Sequence, residues 1–289
     1  MLSNTLRTSA AGYLAGQLVV GLRQELDLTP KPGLVDRNDC GSHPDLDHAL
    51  MHRSVDLLDG YYRDYVQALS TGADTAALRQ LGRNAEQQIS DQFNTNTHRG
   101  ALFLGSLLLT GVYRADCIDI DTVSQPVGQF ALELFPDRLP DDTSGAHTRH
   151  RYQVSGIIDE ALQGLPSVFR IGLPSLHQAH TFGWSQQTSL YFVMARLMQT
   201  VEDTTTLRRG GRDGLNRLRK DGRALEMLLM NGDDPQPFLT RTNTDYCQQR
   251  LTLGGVADLM AMTLGWCRFG EHWFLLPDEQ ISAGITAAG

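Results

Sequence analysis

Apolar residues return every three or four positions along most of this chain, and that period limits what it can fold into. Leu14, Leu18, Leu22 and Leu26 recur every four residues, and Leu46, Leu50, Leu57, Tyr61 and Tyr65 continue in similar fashion. Such spacing sets them along one side of a 3.6-residue helix. Further stripes run through Leu78, Leu81, Ala85, Ile89 and Phe93, through the apolar run 101–109, and through Ile120, Val123, Val127, Phe130 and Leu134. Leu190, Met194, Leu197 and Val201 give another, and 254–264 a late one. Period-two alternation, the mark of a half-buried strand, is nearly absent, and only 272–276 reads as a short extended tail. The expectation is an all-α protein: a single compact multi-helix domain over 1–268, with a C-terminal tail at 269–289.

The 289 residues suffice for one large core, and 41% hydrophobic with 20% charged residues gives no sign of disorder. A formal charge of -8 argues against a nucleic-acid partner, because neutralising phosphates along a strand needs a broad basic face. An anionic small ligand needs only a few cations brought together. Lys31 and Lys220 are the only lysines, so a lysine inside a motif is informative. Cys40, Cys117, Cys247 and Cys267 show no CxxC pairing, so neither a zinc site nor a disulfide framework follows, and a reduced compartment fits. The stretch 14–22 is broken by Gln17 and followed by Arg23 and Glu25 without a small-residue cleavage site. No other run is long and apolar enough to span a bilayer. A cytoplasmic protein without a membrane partner is expected, and a homodimer is left open.

Turn-forming residues mark polar breaks at 29–44, 94–100, 137–144, 164–184 and 204–214, and 231–244 reads as a surface loop. The first break is long for a mere connector. It carries PKPGLVDRNDCGSHPDLD, in which Pro30 and Pro32 stiffen the backbone around Lys31 while Gly33 and Gly41 allow close approach. Asp36, Asp39, Asp45 and Asp47, with His43 among them, offer hard oxygen ligands suited to magnesium. Equally, Asp45 reads as a helix-start charge and Asp36 as a turn former.

The break FNTNTHRG at 93–100 precedes an apolar helix. Its Asn and Thr side chains can cap that helix, leaving N–H groups aimed at phosphate oxygens, with His98 and Arg99 at the mouth. An ordinary cap beside a solvated His-Arg pair explains it as well. Glu86, three residues after Arg83, reads as a helix-surface ion pair. In VEDTTTLRRGG at 201–211, Glu202 and Asp203 fall where a helix C-terminus disfavours negative charge. Arg208 and Arg209 either compensate by salt bridges or join them in a metal and phosphate site. In LTLGGVADLMA at 251–261, Asp258 reads as a dipole-favoured residue early in a helix. The histidine pairs His48 with His52, His147 with His150, and His177 with His180 lack the Glu of an HExxH site.

In this order and spacing, these segments resemble the triphosphoribosyl-dephospho-CoA synthase family, which supplies the prosthetic-group precursor of citrate lyase and malonate decarboxylase. The likeness runs from about 14 to 264 and is carried by PKPGLVD at 30–36, GSHxDLD at 41–47, NTHRG at 96–100 and GGxADLMA at 254–261. It implies a helical transferase using Mg2+, in which the ribose 2′-hydroxyl of dephospho-CoA attacks C1′ of ATP and adenine leaves. It further implies phosphate contacts from Lys31, His98, Arg99 and Arg209, with His43, Asn96, Thr97, Gly100 and Gly210 in the same nucleotide site. Asp45, Asp47 and Asp203 are then the magnesium ligands, and Glu86 or Asp36, with His98, the acid-base groups. The chain departs from the family pattern at Ser144, at Ile158 and Asp159 where Arg and Gly are usual, and at Arg250 where Asn is common.

Overall fold

A computed structural model describes residues 2–135, 144–152, 154 and 156–273. Twelve α-helices follow in order among them: α1 (Asn4–Asp27), α2 (His48–Ser70), α3 (Thr75–Phe93), α4 (Arg99–Arg114), α5 (Ile120–Leu134), α6 (Ser144–Tyr152), α7 (Gly156–Leu162), α8 (Leu173–Thr181), α9 (Gln186–Thr200), α10 (Thr204–Asn231), α11 (Gln236–Gln249) and α12 (Gly254–Trp273). One turn of π-helix, Ser167–Gly172, leads into α8. The described residues contain no strand, so the all-α expectation holds.

The long apolar period of α1 is used on several sides at once. Ser3 caps its start by accepting from Leu6 N–H, and Ala10, Leu14, Leu18, Leu22 and Leu26 are buried against α2, α4 and α12. Gly21 and Gly265 let α1 and α12 touch: a Cβ on Gly21 would stand 2.4 Å from the Ala261 carbonyl oxygen. Such an approach excludes any larger residue. In α4, only Phe103 keeps partial exposure between 101 and 112. That helix is held by three tyrosines of α2, whose buried hydroxyls need partners. Tyr62 donates to the Ala101 carbonyl at 2.7 Å, while Tyr61 and Tyr65 bond Ser106 and Thr110 at 2.6 and 3.0 Å.

Three segments expected as loops are helical. The stretch 164–184 holds the π turn and α8, anchored where Glu160 accepts from both N–H and hydroxyl of Ser167 at 2.7 and 2.9 Å. The stretch 204–214 lies inside α10, and its glycines account for a single non-helical residue, Gly211 at φ 62°. Most of 231–244 belongs to α11, which buries Leu239, Thr242, Asn243 and Tyr246. Polar composition misled here because Thr242 and Asn243 face inward. Helix α12 extends through His272 to Trp273, so the extended reading of 272–276 fails at its first two residues. Trp273 stacks on Phe269 at 5.5 Å. Residues 137–143 of the third break and 274–289 of the expected tail lie outside the described residues. No helix among them is long and apolar enough to cross a membrane.

Candidate functional site

The loop 28–47 joins α1 to α2 and is fastened from within and from afar. Asp36 is buried, and its carboxylate accepts the N–H groups of Lys31 at 2.8 Å, Asn38 at 2.7 Å and Asp39 at 3.2 Å. These bonds occupy it as a loop brace. Gly33 donates to Asn243 Oδ1 at 2.9 Å, Asn243 Nδ2 donates to Asp39 at 2.8 Å, and the Ser42 hydroxyl donates to the Tyr246 carbonyl at 3.1 Å. Gly33, at φ 68°, lies so close to α11 that a Cβ would meet the Leu251 carbonyl oxygen at 2.4 Å. The result is a loop clamped on the C-terminal end of α11, with Lys31 turned inward. Its side chain is 1% exposed, and Nζ lies 2.6 Å from Glu25 Oε1 and 2.7 Å from the Glu25 carbonyl oxygen.

Lys31 lies on the wall of a cavity of about 790 Å³. Around the same space stand Arg83, Arg99, Arg149, Arg208 and Arg209, together with His43 and His98. Glu25, Glu86 and Asp258 are its acidic wall residues. Cations therefore outnumber acids although the chain as a whole is negative, which focuses positive potential where an anion would sit. Leu78, Leu102, Phe103, Phe130 and Phe135 are apolar residues of the same wall, and the Phe103 and Phe135 rings meet edge to face with centroids 5.9 Å apart. Arg83 and Arg208 have no ion-pair partner among the described residues.

His98 occupies the N-cap of α4 without a side-chain cap bond. Its Nδ1 lies 2.8 Å from the Ser54 hydroxyl, which also bonds Thr97. Burial, then the nearby Lys31 and His52, push this imidazole down to about 4. His43 is pushed to about 4 by burial and Arg209, with Nε2 2.9 Å from Thr252 Oγ1. Arg209 donates to the Ser42 carbonyl at 2.7 Å and the Arg250 carbonyl at 3.2 Å, so it braces the loop as well as facing the cavity.

Asp258 enters from the start of α12, and burial with Glu25 and Asp203 nearby pushes its carboxyl well above the usual carboxylate range. It accepts the Ala101 N–H at the first turn of α4. Gly100 is what admits it, since a Cβ there would stand against the Asp258 carboxylate.

Of the residues singled out from sequence, Lys31, His43, Glu86, Asn96, Thr97, His98, Arg99, Gly100 and Arg209 all border this cavity. Glu86 forms a half-exposed pair with Arg99 at 2.9 Å. Asp36 and Gly210 do not border it; Gly210 packs against the Leu251 side chain. The three expected magnesium ligands do not converge. Asp47 is the N-cap of α2, accepting from Leu50 N–H at 2.7 Å. Asp203 is buried and caps two helices: Oδ1 accepts the N–H groups of Thr205 and Thr206, and Oδ2 that of Val256 in α12. It lies at the start of α10, after α9 has ended at Thr200, so the dipole there favours its charge. Asp45 is exposed and does not itself line the cavity; it is bonded to Thr95, with its carboxyl held below the usual range by that bond and by His43 and Arg209.

Sequence reasoning missed Glu25 and passed Asp258 as a helix-start charge. Glu25 carries no local signal, being one acid on a helix. Asp258 stood in a recognised motif, but its role depends on meeting Gly100 across the fold. Of the departures, Ile158 borders the cavity, whereas Arg250 sits at the left-handed C-cap of α11, φ 54°. Asn tolerates that conformation better than Arg, so this departure is a matter of backbone preference.

The family model described as ATP:dephospho-CoA triphosphoribosyl transferase matches residues 11–274. A Pseudomonas putida protein named "Probable 2-(5''-triphosphoribosyl)-3'-dephosphocoenzyme-A synthase" is 33% identical over 268 residues, covering 89% of this chain and 95% of its own length. Proteins of the same name from Stutzerimonas stutzeri and Pseudomonas aeruginosa are 34% and 33% identical, covering 89% and 91% of this chain and 91% and 92% of theirs. No solved structure matches.

Proposed function

Since this chain belongs to the ATP:dephospho-CoA triphosphoribosyl transferase family, we propose that it moves the 5-triphosphoribosyl group of ATP to the ribose 2′-hydroxyl of 3′-dephospho-CoA and releases adenine. The observation that carries this reading is the gathering of Lys31, Arg83, Arg99, Arg208 and Arg209 on one cavity of a net acidic protein. A triphosphate is the part of the donor that needs such a wall, and guanidinium groups grip phosphate oxygens in pairs. Asn96, Thr97 and the first turn of α4 add neutral donors beside it. The apolar wall residues Phe103, Phe130 and Phe135 suit a purine or the pantetheine arm of the acceptor.

In the reaction the C1′–N9 bond breaks and a C1′–O2′ bond forms. The 2′-hydroxyl loses a proton, and adenine leaves more easily when it gains one. His98, neutral and hydrogen-bonded to Ser54, is the base in this reading. Asp258, whose carboxyl burial and the nearby Glu25 and Asp203 push well above the usual carboxylate range, is the acid for adenine in this reading. That assignment replaces Asp36, which is committed to the loop backbone. Glu86 keeps its place as a wall carboxylate paired with Arg99, near enough to the cavity to offset positive charge developing at C1′. Magnesium accompanies a triphosphate with one or two protein carboxylates rather than a full cage. Asp45 fits that need, whereas Asp47 and Asp203 are used as caps. Bound there, the ion would screen phosphate charge. The arriving triphosphate also brings negative charge beside His98 and raises its basicity for proton uptake.

Incubation with ATP and magnesium, with and without dephospho-CoA, tests the reading by chromatography of adenine. Adenine formed only with dephospho-CoA is the expected result. Adenine formed without it would point to another nucleophile, and ATP binding with no adenine under either condition would leave a nucleotide-binding protein without catalysis.

A further inference from the structure

Asp27, His48 and His52 lie together outside the nucleotide cavity, with one ligand atom of each within 4.8 Å of the others. Asp27 is the last residue of α1, and the two histidines stand one turn apart at the start of α2. Both Nε2 atoms point at the same oxygen: His48 Nε2 lies 3.0 Å and His52 Nε2 3.1 Å from Asp27 Oδ1. The rings meet edge to face with centroids 4.5 Å apart. We propose that these three side chains form a binding site for one divalent transition-metal ion of the zinc class, separate from the magnesium that accompanies a nucleotide.

Three features support it. Ligand atoms about 2.0–2.1 Å from a tetrahedral zinc stand about 3.3 Å apart, close to the separations found here. Two imidazoles and one carboxylate select zinc, cobalt or nickel over magnesium, which prefers oxygen. The second carboxylate oxygen of Asp27 is held by Arg37 at 2.8 Å, the kind of outer partner that fixes a ligand's orientation. All three side chains are about one-third exposed or less, so water can fill a remaining position.

Metal binding requires each ring to present its Nε2 lone pair with the proton on Nδ1. At His52, Nδ1 lies 3.4 Å from Arg23, which already pairs with Asp56 at 2.6 Å and would turn wholly to that partner. The position of the site gives it a role. Asp27 and His48 are the two feet of the loop 28–47, and an ion binding both would close that loop at its base, below Lys31 and His43.

Full-length protein freed of metal by chelation and titrated with cobalt(II) chloride tests the site without any use of catalysis, so its outcome is independent of the nucleotide reading. One equivalent of cobalt should bind with the intense visible absorption of a four- or five-coordinate site. His48→Ala and the bulk-preserving His52→Gln should each weaken binding by at least about tenfold. Zinc should displace the cobalt, and a large excess of magnesium should not. A weak octahedral spectrum, or stoichiometric binding that survives both substitutions in folded protein, would overturn the proposal.

Discussion

The Lys31 ammonium and the Glu25 carboxylate meet at 2.6 Å with side chains 1% and 9% exposed, one from a loop and the other from the helix that precedes it. A pair buried this far is costly to break one partner at a time, because the survivor is an uncompensated charge. Lys31→Met should lower the unfolding free energy by about 3–5 kcal/mol. The double variant with Glu25→Gln should recover most of that loss in urea unfolding. A double variant no more stable than the single one would show that the pair is not coupled.

Asp203 should matter to the fold more than to the metal. Asp203→Ala removes the caps of α10 and α12 together, each worth about 0.5–2 kcal/mol. A drop in thermal midpoint with an unchanged magnesium requirement for adenine release is expected. A shifted magnesium requirement would return Asp203 to the ligand set.

Acid should destabilise the protein through His98 before its carboxylates titrate. Unfolded, this imidazole binds a proton near its ordinary value of 6.5, whereas folded it is held down to about 4. Its contribution is therefore fully present above 6.5, and it is lost as pH falls from 6.5 toward 4, by roughly 3 kcal/mol. Urea unfolding at pH 7.5 and 5 measures the part lost by then, and His98→Gln should lessen it, leaving the share of His43, whose imidazole is likewise held down to about 4. An equally steep fall in that variant would place the effect elsewhere.

Arg208 and Arg209 should separate in their effects. Arg208 faces the cavity without an ion-pair partner among the described residues, so Arg208→Ala should cost about tenfold to a hundredfold in kcat/KM for ATP with no change in thermal midpoint. Arg209→Ala should lower both, because it also bonds the Ser42 and Arg250 carbonyls.

Arg250→Gly should stabilise the chain by about 1 kcal/mol, since a non-glycine residue at φ 54° carries a steric cost that glycine does not. Thermal unfolding reads it directly. A lower midpoint would mean that the Arg250 side chain contributes more than its backbone strain removes.

The helices were legible where apolar period was strong, as in α1, α4, α5, α9 and α12. Helix α11 was not, because its buried Thr242 and Asn243 look like loop residues until the Phe238 carbonyl accepts from the first and Gly33 and Asp39 partner the second. The site was legible as segments. PKPGLVD and NTHRG both reach the cavity, yet sequence gave no means to tell which of their acids point inward. Asp36 turns to its own loop, Asp47 and Asp203 to helix ends, and Asp258 to the cavity. Each outcome is set by a neighbour distant along the chain.

The clamp between loop 28–47 and α11 fixes when in its own synthesis the protein can acquire a working site. Gly33, Asp39 and Ser42 leave the ribosome 204 to 210 residues ahead of Asn243 and Tyr246, which hold them. A nascent chain halted before α11 would carry PKPGLVD without its anchor. Contacts this remote form late and slowly, so premature termination should yield a helical fragment open to proteases at that loop, never a partly active transferase.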